Sequence, residues 1–148
     1  SDAGYGFIGR LEDMVTKNKA GKSVLSVPKG GIVNQPALLV DEKHDYIAAF
    51  SNEGRLLIFP VADLPSLGRG KGVKIMNIPK ARVESREEFM AYVRVFSEVD
   101  TLVVQSGKRT LNLKIDDLEH YRGERARRGL KLPRGFQKVD GVLVEKGD

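Results

Sequence analysis

The sequence predicts an all-β chain of short antiparallel strands stacked in repeated, propeller-like units. The first observation behind this is a period of about fifty residues. Ser1-Asp2-Ala3-Gly4 recurs as Ser51-Asn52-Glu53-Gly54, and Asp13-Met14 recurs as Asp63-Leu64. Gly21 with a run ending in Pro28 recurs as Gly72 with a run ending in Pro79. A looser third copy holds Gly107, Asp117-Leu118, Gly129 and Pro133. A period of this size means stacked supersecondary units. The second observation is that the apolar runs are brief and bounded by Gly, Ser, Asn and Pro. The third is their even spacing, which suggests blades of a propeller-like or sandwich-like sheet array. The repeats span roughly 1–45, 46–100 and 101–148, within one domain. The first is cut at its start: it opens on the turn that follows Tyr46–Phe50 in the second. The chain therefore reads as an open crescent and as a piece of something longer.

Each element follows from local chemistry. Phe7–Leu11, preceded by Gly4, is expected to be the returning half of a truncated hairpin. Tyr46–Phe50 and Arg55–Phe59 flank Asn52-Glu53-Gly54 and read as a complete hairpin. Thr101–Gln105 and Arg109–Ile115, around Ser106-Gly107, make another. In the latter's return strand Leu111, Leu113 and Ile115 alternate with Thr110, Asn112 and Lys114, the pattern of a strand with one wet face. Each hairpin leads to an Asp-apolar pair, a basic turn, a glycine and a final short strand: Val24–Val27, Val73–Ile78 and Leu130–Leu132. Ser85-Arg86-Glu87-Glu88 resembles a capping box, but the residue types of Phe89–Phe96 favour a strand there. Asp116–Tyr121 reads as one helical turn capped by Asp116.

Composition narrows the partner. There are 25 Lys and Arg against 20 Asp and Glu, a net charge of +5. That balance favours an anionic partner without choosing among nucleic acid, a membrane surface and an acidic protein. With no cysteine there is no disulfide framework and no thiolate metal site. No apolar run is long enough to span a bilayer, and no signal-peptide core opens the chain. The expected location is the cytoplasm.

The placement of charge says more than its sum. Lys17, Lys19, Lys22 and Lys29 fall in 17–35 without an acid. Arg69, Lys71, Lys74, Lys80 and Arg82 fall in 66–82, again without an acid. Arg122, Arg125, Arg127, Arg128, Lys131 and Arg134 face Glu124 alone in 122–134. All three blocks follow the Asp-apolar pair, so stacking places them on one rim and fuses them into a cationic track. A duplex backbone offers a matching line of phosphates. Taken singly, a lysine-rich turn is a solvated turn; three in register are a surface. The acids gather elsewhere, at Asp41, Glu42, Asp45, Glu84, Glu87, Glu88, Glu98 and Asp100. Gly68, Gly70, Gly72 and Gly129 serve either close approach of backbone to phosphate or positive-φ turns. The candidate contacts are Lys17, Lys19, Lys22, Arg69, Lys71, Lys74, Arg125, Arg127, Arg128 and Lys131.

Other motifs carry less. Gly4-Tyr5-Gly6-Phe7-Ile8-Gly9 matches G-x-G-x-x-G, but no strand–helix context surrounds it. Gly68-Arg69-Gly70-Lys71-Gly72 lacks the Lys-Ser/Thr pair of a P-loop. His44 and His120 read as solvated, and no triad or paired-carboxylate signature stands out. Of Tyr5, Tyr46, Tyr92 and Tyr121, read as sheet packing, only Tyr121 beside the third block is held open as a stacking residue.

The stretches Ser1–Phe7, Lys17–Pro28, Ser51–Leu64, Gly70–Pro79 and Glu124–Gly135 resemble the C-terminal domain of bacterial topoisomerase IV A subunits, relatives of the gyrase A tail. The resemblance covers nearly the whole chain and is most specific in the middle repeat. It implies a β-pinwheel with strands exchanged between neighbouring blades, whose outer rim binds and bends duplex DNA. It implies a non-catalytic accessory domain, with the DNA-cleaving tyrosine, the magnesium site and the ATPase elsewhere in the parent enzyme. It further implies partnership with the rest of the A subunit and with the B subunit, contact with condensin-like chromosome proteins, and a nucleoid-associated place. The gyrase tail's Gln-Arg-rich box ends in Gly-Gly-Lys-Gly, of which Gly70-Lys71-Gly72 alone remains. That favours bending over wrapping. A rival of another class is a propeller-type module docking an acidic protein, and a third is an RNA-binding β-barrel.

Overall fold

The computed structural model describes residues 1–39 and 41–147. The strands are β1 (Tyr5–Gly6), β2 (Tyr46–Ser51), β3 (Arg55–Pro60), β4 (Val73–Lys74) and β5 (Met90–Phe96), then β6 (Thr101–Ser106), β7 (Arg109–Leu113), β8 (Leu130–Lys131) and β9 (Gly141–Glu145). Two short helices, α1 (Lys80–Glu84) and α2 (Ile115–Leu118), interrupt them. Among the described residues the strands form three sheets, ordered β1-β4, β5-β2-β3-β8 and β7-β6-β9. Every named strand pair is antiparallel.

The middle sheet explains its own sequence. Ala48, Phe50, Leu56 and Ile58 enter a core shared with Leu102, Val104, Leu113 and Val142 of the third sheet. Their neighbours Ile47, Ala49, Leu57 and Phe59 enter a second core with Ile75, Met76, Ile78 and Val83. Successive side chains point to opposite faces of a strand. Both faces are therefore dry, and β2 and β3 read as continuous apolar runs. β7 has one dry face and reads as an alternation.

Strands pass between repeats. β4 of the second repeat pairs with β1 of the first, setting Lys74 opposite Tyr5. β8 of the third repeat pairs with β3 of the second in the same way, setting Lys131 opposite Arg55. Each incoming strand is preceded by a glycine at positive φ, Gly72 at 85° and Gly129 at 78°. A side chain at Gly72 would collide with the Gly6 carbonyl, and a Cβ at Gly129 would lie 2.8 Å from the Leu56 carbonyl oxygen. The glycines thus permit close backbone approach, with no side chain between the blades. The repeated turns match as well: Gly4 donates to the Ser1 carbonyl at 3.2 Å and Gly54 to the Ser51 carbonyl at 3.1 Å. The Asp-apolar pairs sit at the close of a helical turn in each repeat, namely the 3-10 turns Leu11–Met14 and Val61–Asp63 and the helix α2.

Several expectations are corrected. Phe7–Leu11 is not a strand. Ile8 instead donates to the Pro65 carbonyl and accepts from Leu67, so the segment is held by a loop of the second repeat, and Leu11 begins a 3-10 turn. Val24–Val27 shrinks to a bridge at Leu25, and Val73–Ile78 ends its pairing at Lys74 because Ile75 and Met76 turn into the core. β8 stops at Lys131. β7 stops at Leu113, and Ile115 opens α2 one residue before the expected Asp116 cap; the Asp117 carboxylate accepts the Lys114 backbone N–H at 3.1 Å. Phe89–Phe96 is a strand from Met90, as its residue types indicate. Ser85 closes α1 rather than capping a new helix, and Arg86 takes a positive φ of 64°. α1 and β9 are elements that the sequence pattern does not announce. Tyr121 lies in the first core at 7 % exposure, which removes it as a stacking platform.

Candidate nucleic-acid interface

The three basic blocks are separated in sequence by roughly a repeat each, and the fold brings them edge to edge. Block one meets block two at residues 24–26. Gly70 donates to the Val24 carbonyl at 3.0 Å, and Ser26 donates to the Gly70 carbonyl at 2.9 Å. Beside this bridge, Lys22 and Arg69 line a hollow of about 400 Å³ with Asp13 and Gly68. Lys22 Nζ donates to the carbonyl of Asp13 at 2.6 Å, a bond between two residues of the hollow's lining. Lys17 and Lys19 are exposed on the loop after the 3-10 turn.

Block two meets block three over a longer seam. Ala126 donates to the Ile75 carbonyl at 2.8 Å and Asn77 to the Arg127 carbonyl at 2.9 Å. The Arg125 guanidinium donates to the Lys74 carbonyl at 2.6 Å, and that of Arg128 to the Asn77 carbonyl at 3.1 Å. Ala126 reaches this seam at a positive φ of 74°. The blocks form a ribbon of backbone hydrogen bonds running across all three repeats.

The ten candidate contacts divide by what they touch. Lys17, Lys19, Lys22, Arg69, Lys71, Arg127 and Lys131 are exposed. Among the described residues Arg127 pairs with Glu124 alone, three residues back, at 3.1 Å. Lys71 Nζ lies 4.4 Å from the centre of the Tyr5 ring and Lys74 Nζ 5.8 Å from it, cation–π contacts that hold both ammoniums beside β1. Lys74, Arg125 and Arg128 are half-buried. Arg125 and Arg128 spend donors on the seam, so their first task is to join repeats.

The separation of sign seen in the sequence is incomplete in space. Glu88 has no exposed surface, and its Oε2 accepts from Arg82 Nε at 3.1 Å and from Arg128 Nη2 at 2.9 Å. Arg82 also reaches Glu87 and Glu53, at 3.1 and 2.7 Å. Burial works against the charge on Arg82, but its three carboxylate partners outweigh that and raise its pKa above the ordinary value. A cleft of about 480 Å³ lies over this network, lined by Glu53, Arg55, Arg82, Arg128, Lys131 and Gln137. Arg55 and Gln137 are not among the residues expected from sequence. Arg55 stands in a hairpin strand outside the acid-free blocks, and the fold alone carries β8 to it.

Little else on the surface has chemistry to offer. His44 Nδ1 lies 2.9 Å from Asp41 on an exposed loop, and the side-chain hydrogen bond to His44 leads the effects lowering the Asp41 pKa. His120 meets the Tyr121 ring edge-on. Among the described residues no group of three or more His, Cys, Asp or Glu could hold a metal ion, and no helix is long and apolar enough to cross a membrane.

Comparison with known proteins agrees with this geometry. The family model described as DNA gyrase C-terminal domain, beta-propeller, matches residues 45–85, which contain the hairpin β2–β3 and the second basic block. The DNA topoisomerase 4 A subunit of Pseudomonas aeruginosa is 59% identical over 145 residues, covering 98% of this chain and 19% of the relative. That of Escherichia coli K12 is 41% identical over the same length, with the same coverage. The chain thus spans about a fifth of the curated relatives it matches. The solved structure of the E. coli ParC C-terminal domain superposes with a TM-score of 0.89 at 40% identity, covering 97% of this chain and 58% of that one. A gyrase A C-terminal domain shares the fold at a TM-score of 0.73 and 17% identity, covering 98% and 47%. The strand exchange, the repeated Asp-apolar turns and these likenesses agree, and the chain belongs to the family of C-terminal β-pinwheel domains of the DNA gyrase and topoisomerase IV A subunits.

Proposed function

We propose that this chain is a duplex-DNA-binding accessory domain of a type II topoisomerase, without catalytic chemistry of its own. The observation that carries the reading is the hydrogen-bonded ribbon of three basic blocks, with Lys17, Lys19, Lys22, Arg69, Lys71, Arg127 and Lys131 exposed along it. Exposed lysines and arginines neutralise phosphates and release counterions, which supplies affinity with little sequence preference. A track that follows the curve of stacked blades gathers more phosphates from a bent duplex than from a straight one. In the parent enzyme the domain captures a segment and presents it for ATP-dependent strand passage during decatenation and relaxation. The ATP and magnesium chemistry belongs to other domains. Its partners there are the rest of its own polypeptide, the B subunit and condensin-like chromosome proteins, in the nucleoid.

Titration of the chain against a labelled duplex of about four helical turns, over a salt series, tests this. Each phosphate contact contributes about −0.9 to the log–log slope. A slope of about −4 or steeper, shared by unrelated duplex sequences, is the expected result. Absence of duplex binding at low salt, with retention of an acidic protein after nuclease treatment, would overturn it in favour of a protein-docking module.

A further inference from the structure

We propose that the cleft where β8 joins β3 is a discrete phosphate seat, built on the facing cations Arg55 and Lys131 and completed by Arg128 and Gln137. The proposal rests on the duplex-binding reading for the source of the phosphate, not for the chemistry of the seat.

Arg55 and Lys131 are directly opposite in an antiparallel pair. Opposed side chains in such a pair lie about 5 Å apart at Cβ, and like charges there repel. The equivalent pair at the first junction is Tyr5 and Lys74, where the ammonium faces an aromatic ring. The second junction therefore tolerates a repulsion that the first avoids.

Four cations, Arg55, Arg82, Arg128 and Lys131, meet three carboxylates, Glu53, Glu87 and Glu88, so a surplus of one positive charge remains at the cleft. Arg82 is consumed by Glu53, Glu87 and Glu88, and Arg128 shares Glu88. Among the described residues no carboxylate pairs with Arg55 or Lys131. Arg55 Nη1 donates to the Gly129 carbonyl at 3.0 Å, which fixes the guanidinium plane and leaves its other donors available. Lys131 is exposed on the same side, and both line the cleft of about 480 Å³. The oriented Arg55, the exposed Lys131, the partly matched Arg128 and the amide of Gln137 suit the tetrahedral oxygens of a phosphate. A duplex phosphodiester and free phosphate share this chemistry.

The test uses the full chain, its Lys131→Gln and Arg55→Gln variants, and Lys43→Gln on a remote loop as control. Melting in inorganic phosphate is compared with melting in chloride at equal ionic strength, and the duplex salt series is repeated. Phosphate is expected to raise the melting temperature of the wild type and of Lys43→Gln, but not of Lys131→Gln. Lys131→Gln in chloride should melt no lower than wild type, because a repulsion is lost. Its duplex slope should be shallower by about 0.9. Duplex binding with an unchanged slope and an unchanged phosphate response in Lys131→Gln would overturn the seat and leave the DNA reading standing. If the wild type binds no duplex, the DNA reading fails; a phosphate response that depends on Lys131 then keeps the seat with free phosphate as ligand, and no response ends both. A lower melting temperature for Lys131→Gln in chloride would also overturn it, since Lys131 would then be stabilising the junction.

Discussion

Glu88 Oε2 lies 2.9 Å from Arg128 Nη2, a contact between a residue just before β5 in the second repeat and the third basic block. The carboxylate is fully buried, while the Arg128 side chain keeps about a third of its surface, at 32 %. One carboxylate oxygen, Oε1, has no hydrogen-bond partner among the described residues. The pair thus joins two repeats at a buried charge, and removing either member leaves an imbalance that packing alone cannot absorb.

Glu88→Ala should destabilise the fold by about 3 kcal/mol, since it removes charge-assisted hydrogen bonds to both Arg82 and Arg128 from a fully buried position. Glu88→Gln should cost less, about 1–2 kcal/mol, because the amide oxygen still accepts a hydrogen bond. Urea denaturation of the two variants checks the order. Equal and small losses would mean that Arg82 and Arg128 are held without Glu88.

Arg125, Arg127 and Arg128 look like interchangeable surface contacts in the sequence; the structure separates them. Arg127→Ala should change stability by less than about 0.5 kcal/mol, as an exposed i,i+3 pair contributes little. It should still weaken duplex binding and make the salt slope shallower by about 0.9. Arg125→Ala and Arg128→Ala should each lower stability by about 1–2 kcal/mol through lost bonds to the Lys74 and Asn77 carbonyls. Thermal melts beside the binding titration distinguish the two roles.

Strand exchange depends on bare backbone. Gly72→Ala should prevent β4 from seating on β1, with a loss of several kcal/mol or failure to fold, because its Cβ would meet the Gly6 carbonyl at a positive φ. Gly21→Ala, also at positive φ but with nothing within 4 Å of its Cβ, should cost only about 1 kcal/mol. Similar melting temperatures for the two variants would contradict the exchanged register.

Asp100 links the residues after β9 to the turn before β6. Its carboxylate accepts from the Ser97 and Gly147 backbone amides at 2.8 and 3.0 Å and lies 3.3 Å from Lys146 Nζ. Burial disfavours its charge, but the amides and the ammonium together outweigh that and lower the pKa. A lowered acid stabilises the fold above its unfolded pKa of about 3.9, and that stability is lost as pH falls through the folded value. Wild-type stability should drop below about pH 4, with a smaller acid dependence in Asp100→Asn. Denaturant midpoints from pH 7 to pH 2.5 measure the difference.

Much of the fold is legible in the sequence because its signals are local. The hairpin β2–β3 lies on an Asn-Glu-Gly turn between apolar runs, and β6–β7 on Ser106-Gly107 between runs of which one alternates. The strand over Met90–Phe96 shows in β-favouring residue types, against a capping box that resembles a helix start. The errors share one cause. Phe7–Leu11, Val24–Val27 and Val73–Ile78 have strand composition, but whether they pair depends on another repeat. α1 is only five residues long and has no side-chain cap at its start.

The candidate site divides the same way. From sequence alone came the repeat, the antiparallel class, and the basic blocks with their common position, because turn chemistry, alternation and charge are properties of neighbours along the chain. Only the tertiary structure decided that β8 crosses to β3, that Glu88 is buried under Arg82 and Arg128, that Tyr121 is core, and that Arg55 faces Lys131. Those outcomes depend on contacts between residues far apart in sequence. Each is set by how two cores pack on the opposite faces of one sheet, which no local pattern encodes.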